Sequence, residues 1–408
     1  MGAAQVRLAA LLRELQNHNH VTEVVTAIPQ RVVSNPHRKY PAKLYMSETY
    51  GGAQVHRTWT FAGSGFGFRR LLNYLSFAST CLVGMWKCKK PDFIFVESPP
   101  LFLGISGLIY SRLRGVPLIF YVADLWPESA RAIGVLHDGV LFKMAERLER
   151  FIYSHAKYIA AATAGIVSTL EMKKDVPRAK LFLLPNGVDT ETAVPIATDE
   201  RLLDELELRG KKVFLYAGNH GAVAGLETLL EAARVLSNSE TAFLFVGDGQ
   251  AKPDLLRLAK RYELRNVRFI SARPVEEMSR YHSIAFASVV HVRKGELFKA
   301  TRPAKLFTSL ACGVPVIYCG EGETAALVKS ADVGLVVAPE QPAQLVEAIR
   351  FLERHTNVRM RMASNARVLA VKQFGWNLIV GKWLDELGQA ESASRAPVRD
   401  DRRTALAR

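Results

Sequence analysis

The second half of the chain alternates short apolar runs with amphipathic stretches almost without a break. VFLYA (213–217), AFLFVG (242–247), VRFI (267–270), IAFASVVHV (284–292), VPVIYC (314–319) and GLVVA (334–338) are apolar runs of strand length. Such runs mark strands covered on both faces. Between them, residues 226–236, 253–262, 275–282, 303–311, 323–330 and 342–354 read as helices. In the first of these, Leu226, Leu229, Leu230 and Ala233 share one face. Strand alternating with helix predicts an α/β fold: parallel sheets, right-handed crossovers, and sites at the carboxyl ends of the strands.

The first half is less regular. RLAALLRELQ (7–16) has helical spacing and VTEVVTAI (21–28) reads as a strand. Residues 29–68, rich in Gly, Pro and Tyr, read as a long irregular excursion. FIFVES (93–98), VPLIFYV (116–122), YIAAAT (158–163) and KLFLLPNGV (180–188) read as strands, with helices at 101–113 and 143–156. The alternation lapses near 189–211, which places a domain boundary there. The expected units are 1–190, 191–375, a last helical segment 376–390, and a polar, Arg-bearing tail 391–408 expected to be disordered.

A length of 408 residues suits two domains or three, and 49% hydrophobic residues suffice for a core in each. The net charge of +15 changes the picture more. It favours anionic partners: nucleotide phosphates, an acidic membrane surface or nucleic acid. Nucleic acid is disfavoured, because no aromatic-basic interleaving or known module accompanies the charge. The four cysteines form no C-x-x-C pair, and no Cys/His cluster has zinc spacing, so reduced thiols and a cytoplasmic location are expected. No apolar run is long enough to span a bilayer. Residues 71–86 (LLNYLSFASTCLVGMW) lie between Arg69, Arg70 and Lys87, Lys89, Lys90. Two readings are open there: a helix on a membrane surface or a core helix with solvated ends.

Candidate chemistry gathers in three places. GNHG (Gly218, Asn219, His220, Gly221) follows a strand and precedes a helix, where glycine lets backbone approach a phosphate. Lys305 follows Pro303 into the first turn of a helix. A cation there opposes the helix dipole unless an anion binds beside it. Arg302 and Arg293 add charge nearby, and Thr308 lies one turn on. Asp124, in DLWPES after strand 116–122, is open to three readings: general base, carboxylate orienting an acceptor hydroxyl, or N-cap. No D-x-D pair stands at a strand end for a metal ion, and no G-x-S-x-G elbow occurs.

Taken with GAAQVRLAALLREL (2–15), PDFIFVESPPLFLG (91–104), FYVADLWPESARAIGVL (120–136), LPNGVD (184–189), FVGDG (245–249) and RPAKLFTSLACGVPVI (302–317), the chain resembles family 4 of the retaining glycosyltransferases. The likeness is to bacterial members that build capsule, O-antigen and exopolysaccharide units. It implies the GT-B architecture, two Rossmann-like domains facing across a cleft, with the last helix crossing back onto the first. It implies an acceptor site in the first domain and a nucleotide-sugar site in the second. It further implies a UDP- or GDP-sugar donor, a lipid-linked or saccharide acceptor at the inner face of the cytoplasmic membrane, and no metal. Asp124, Lys305 and Arg302 take catalytic positions; Gly218, Asn219, His220, Gly221, Arg293 and Thr308 take donor-binding ones. Three departures stand out. The sequence opens at the family's glycine loop, so the first sheet is expected to lack its central strand, as in a truncated or decayed member. Ala300 and Thr308 replace the family's paired glutamates, and Ala224 replaces a basic residue. A UDP-sugar 2-epimerase of the same architecture and a non-catalytic nucleotide-sugar binder are the alternatives.

Overall fold

The computed structural model describes residues 3–29, 43–63, 67–132 and 134–395. Thirteen strands are described: β1 Glu23–Ala27, β2 Tyr45–Tyr50, β3 Ala53–Thr58, β4 Ile94–Ser98, β5 Leu118–Val122, β6 Tyr158–Ala161, β7 Leu181–Leu183, β8 Lys212–Ala217, β9 Thr241–Val246, β10 Val267–Ile270, β11 Ala285–His291, β12 Val316–Cys319 and β13 Gly334–Val337. The helices of the first half are α1 Ala3–Asn17, α2 Phe68–Lys87, α3 Phe102–Arg114, α4 Glu128–Ala132, α5 Val140–His155 and α6 Ala164–Lys174. Those of the second are α7 Glu200–Glu205, α8 Glu227–Val235, α9 Lys252–Arg261, α10 Met278–Ser283, α11 Ala304–Ala311, α12 Glu323–Ser330, α13 Pro342–Arg354, α14 Thr356–Leu369 and α15 Trp376–Arg395.

The second domain is a six-stranded parallel sheet in the order β10-β9-β8-β11-β12-β13. Every residue of β9 is buried, as a strand covered by helices on both faces must be. The order reverses between β8 and β11. The loops after these two strands therefore open a crevice at their carboxyl ends.

The first domain holds two sheets, β1-β3-β2 and β4-β5-β6-β7. β1 and β4 each keep one edge without a strand partner among the described residues. The expected irregular excursion is corrected here. Residues 45–58 form an antiparallel hairpin, and β3 then pairs parallel to β1. Gly51 and Gly52, with φ of 56° and 76°, supply the left-handed pair that a tight two-residue hairpin turn requires. Polar residues, exposed along YMSETY but buried at His56 and Thr58 of AQVHRT, hid these strands from a search for apolar runs.

The helix α15 returns to the first domain. Trp376, Ile379, Val380, Trp383 and Leu387 join its core, and Trp383 meets Phe95 edge-on at 6.0 Å. This helix continues to Arg395, so residues 391–395 are ordered, contrary to the expected tail; Glu391 pairs with Lys157 at 2.5 Å. The rest of the tail, 396–408, lies outside the described residues.

Beneath the first sheet of parallel strands, Lys174 is buried between Glu149 and Glu128, and its Nζ lies 2.6 Å from Glu149. Glu149 is fully buried and accepts the Tyr153 hydroxyl at 2.8 Å. Burial, then the nearby Glu128 charge, push its carboxyl up to about 7, while Lys174 opposes them. Glu149→Ala would leave Lys174 buried with Glu128 alone. We expect it to lower unfolding free energy by about 3 kcal/mol, read as a fall in the urea midpoint at unchanged slope.

Candidate functional site

The two domains meet where their strands end. Asn186 Nδ2 donates to the Arg302 carbonyl at 3.3 Å, and Gly165 N–H donates to Glu323 Oε2 at 3.0 Å. Glu323 Oε1 in turn lies 2.7 Å from Arg302 Nε. A Cβ on Gly165 would sit 2.7 Å from that of Ala300. The starts of α11 and α12 therefore face the first domain across the cleft.

Lys305 stands in the first turn of α11, after Pro303. Its Nζ lies 5.1 Å from the centre of the Tyr216 ring. A Cβ on Gly218 would fall 2.7 Å from Lys305 Cε and 3.8 Å from Nζ. Gly218, at φ 151°, has a backbone conformation that favours glycine, and a Cβ there would also push the lysine aside. The amine aims at the 218–221 turn, and among the described residues no carboxylate lies within ion-pair distance of it. Burial alone pulls the ammonium down to about 8. A crowded lysine at a helix start, without an acidic partner among the described residues, has the electrostatics of an anion site.

The turn itself is pinned by its neighbours. Gly218 N–H donates to Val246 O, His220 N–H to Asp248 O at 3.0 Å, and Ala251 N–H to His220 O. Gly247 packs so closely that a Cβ there would sit 1.9 Å from Gly218 O. The amides of Asn219 and Gly221 donate to no group among the described residues. With the first amides of α11, they are the donors left for a ligand.

The other expected donor-side residues divide. His220 is fully buried against Tyr216, Phe245 and Phe269, and neither ring nitrogen has a partner. Burial, then Lys252, hold it neutral by lowering it to about 4. Its side chain supports the loop from beneath. Arg293 is held by Glu340 at 3.0 Å, by Glu227, and by the Ala222 carbonyl at 2.6 Å. Two carboxylates balance its charge, and its work in this structure is to brace the loop. Arg302 is likewise paired with Glu323. Thr308 lies on α11 one turn beyond Lys305, partly buried.

Across the cleft, Asp124 follows β5; part of the residue reaches solvent, while its carboxyl is hemmed in by protein. No hydrogen bond to its carboxylate is found among the described residues, which leaves its N-cap reading without support. Protein crowding around it pushes the acid up to about 6; Arg7 opposes this and Glu97 adds to it. Sequence reasoning missed these two neighbours. Glu97, the last residue but one of β4, pairs with Arg7 from α1, both nearly buried. Arg7 also donates to Asn186 Oδ1 at 2.9 Å and lies over the Tyr121 ring. Arg7 Nε and Glu97 Oε2 are buried and unpartnered. The available signal was an acid inside the apolar run FIFVES, at the carboxyl end of its strand. The arrangement can do two things: bind an acidic group on the second domain, and take a proton on the first.

Known proteins resemble the chain in both halves. A model of group 1 glycosyl transferases matches residues 199–369, and a glycosyl transferase 4-like domain matches residues 2–187. A probable glycosyltransferase, WbjE of Pseudomonas aeruginosa, is 24% identical over 64% of this chain and 66% of its own. A putative colanic acid biosynthesis glycosyl transferase, WcaI of Escherichia coli, is 26% identical over 86% of this chain and 89% of its own. HepE of Anabaena, solved in complex with UDP-glucose, superposes with a TM-score of 0.73 at 14% identity, over 95% of this chain and 96% of its own. That likeness bears on the fold, which is GT-B, two Rossmann-like domains facing each other.

Proposed function

This chain belongs to the family 4 glycosyltransferases, and from that premise we propose that it moves a sugar from a nucleoside diphosphate sugar, UDP- or GDP-linked, to a saccharide or lipid-linked acceptor of cell-surface polysaccharide synthesis. The observation that carries this is Lys305, unpaired by any carboxylate among the described residues and aimed at the Gly218 turn. In the reaction, the bond from the anomeric carbon to the diphosphate breaks and a bond to the acceptor oxygen forms, with retained configuration. Lys305 and the free amides of Asn219, Gly221 and α11 stabilise the negative charge that grows on the departing diphosphate. Asp124, ionised above its raised pKa, takes the proton from the acceptor hydroxyl. Arg7 and Glu97 hold the acceptor side. Charge supplied by protein groups suits transfer without a metal ion. A mass-spectrometric screen of UDP- and GDP-sugars against lipid-linked and free saccharides tests the reading. Donor-dependent glycosylation without added Mg²⁺ is expected; binding of nucleotide with no transfer to any acceptor would contradict it.

We place the enzyme on the inner face of the cytoplasmic membrane. No described helix is long and apolar enough to cross a membrane. The helix α2 buries Ala78, Cys81, Gly84 and Met85 against the first domain. Its other face exposes Phe68, Leu71, Leu75 and Trp86 beside the exposed Arg69, Arg70, Lys87, Lys89 and Lys90. A groove of about 290 Å³, lined by Trp59, Phe61, Leu72 and Leu75, opens on this side and suits an acyl or polyprenyl chain. Each basic residue near an anionic surface contributes about 1 kcal/mol. Replacing all five by Gln should abolish most binding to anionic liposomes in a flotation assay; unchanged flotation would remove the membrane placement.

A further inference from the structure

Away from the cleft, at the amino-terminal end of β1, three side chains from separate parts of the chain converge. Glu23 opens β1, His56 lies on β3, and Cys88 caps the end of α2. Their donor atoms all lie within 4.8 Å of one another. The strands β1 and β3 run parallel, with Val25 opposite His56, so the cluster sits where the sheet meets the end of α2. The sequence separations of 33 and 32 residues explain why no zinc spacing is legible in the sequence.

We propose that Glu23, His56 and Cys88 bind a divalent transition ion, zinc by the chemistry of the set. One carboxylate, one imidazole and one thiolate are the three ligand types zinc takes, and a water completes four-coordination. The outer atoms of the cluster are already held as a ligand set requires. The Tyr45 hydroxyl lies 2.8 Å from His56 Nδ1, which leaves Nε2 facing Glu23 Oε2 at 2.9 Å. The Lys89 amide donates to the other oxygen of Glu23 at 3.4 Å. Such partners fix ring orientation and tautomer in metal sites. His56 is buried, so its ring needs a partner that does not depend on solvent. Burial, reinforced by Glu23, keeps the metal-free Cys88 as a thiol by raising it to about 12. Metal binding exchanges that proton for the ion, and the proton leaves to solvent. The ion would tie β1, β3 and the end of α2 together and so brace the β1-β3-β2 sheet. The site stands apart from sugar transfer, so its test does not depend on the donor.

The test uses the reduced full-length chain. Zinc is titrated against a chromophoric chelator, and cobalt(II) is substituted to report the ligands. We expect one zinc per chain and a thiolate-to-cobalt charge-transfer band. Cys88→Ser should abolish the band and weaken zinc by about 100-fold or more, and Tyr45→Phe should weaken it by about 10- to 100-fold. His56→Gln serves as a second ligand variant, and an unchanged far-ultraviolet circular dichroism spectrum without zinc certifies that each variant is folded. Absence of stoichiometric zinc binding would overturn the proposal and leave Glu23 and His56 as a hydrogen-bonded pair. So would a cobalt spectrum that Cys88→Ser does not alter, since Cys81, Cys312 or another group would then be the source.

Discussion

Lys305→Ala is expected to lower kcat by about 10²- to 10³-fold while leaving the fold intact. The loss follows from what the amine faces. It lies against the Gly218 turn and the Tyr216 ring, and no described carboxylate pairs with it. Removing it leaves the diphosphate with amide donors only. The loss of one preorganised donor at a developing charge is of this size. The lysine also sets an alkaline limit. Its charged form does the work, and burial lowers it to about 8, so kcat/KM should fall as pH rises through about 8. Lys305→Arg, always protonated, should keep part of the activity and lose that limb. A pH profile of both variants checks the assignment; an alkaline limb that survives Lys305→Arg would assign it to another group.

Asp124→Asn is expected to cost about 10²- to 10⁴-fold in transfer with nucleoside diphosphate affinity unchanged. Its carboxylate has no hydrogen-bond partner among the described residues, and only its ionised form accepts a proton. The parent's kcat/KM should therefore rise with pH through about 6, where the raised acid ionises. Together with Lys305 this gives a bell with limbs near 6 and 8. In Asp124→Asn the acid limb should vanish. If nucleotide affinity fell instead, Asp124 would belong to the donor side, which its place after β5 does not suit.

Much of the second domain was legible because its strands are buried on both faces. TAFLFV and VIYC cannot be anything polar-faced, and their spacing announces the parallel order. The hairpin at 45–58 was not legible, because one of its strands shows polar residues to solvent and has no apolar run. The helix α6 (AGIVSTLEMKK) escaped for a related reason: it buries Ile166 and Leu170 but has scattered apolar positions rather than a stripe. At the site, Lys305 and Gly218 were visible as local signals, a lysine at a helix start and a glycine in a strand-helix turn. What the sequence hides is convergence. Arg293 looks like a free cation until Glu227 and Glu340 arrive from 66 and 47 residues away. Arg7 and Glu97, 90 residues apart, look like a helix surface charge and a stray strand acid until they meet beneath the cleft.

Nucleoside diphosphate and monophosphate affinities, measured by calorimetry on the parent and on Lys305→Ala, bear most directly on the placement of the leaving group. If the lysine grips the second phosphate, the substitution weakens UDP or GDP by about 10- to 100-fold, the worth of one charged hydrogen bond, and leaves UMP or GMP nearly unchanged. Equal diphosphate affinity in the two proteins, or an equal loss for mono- and diphosphate, would contradict it.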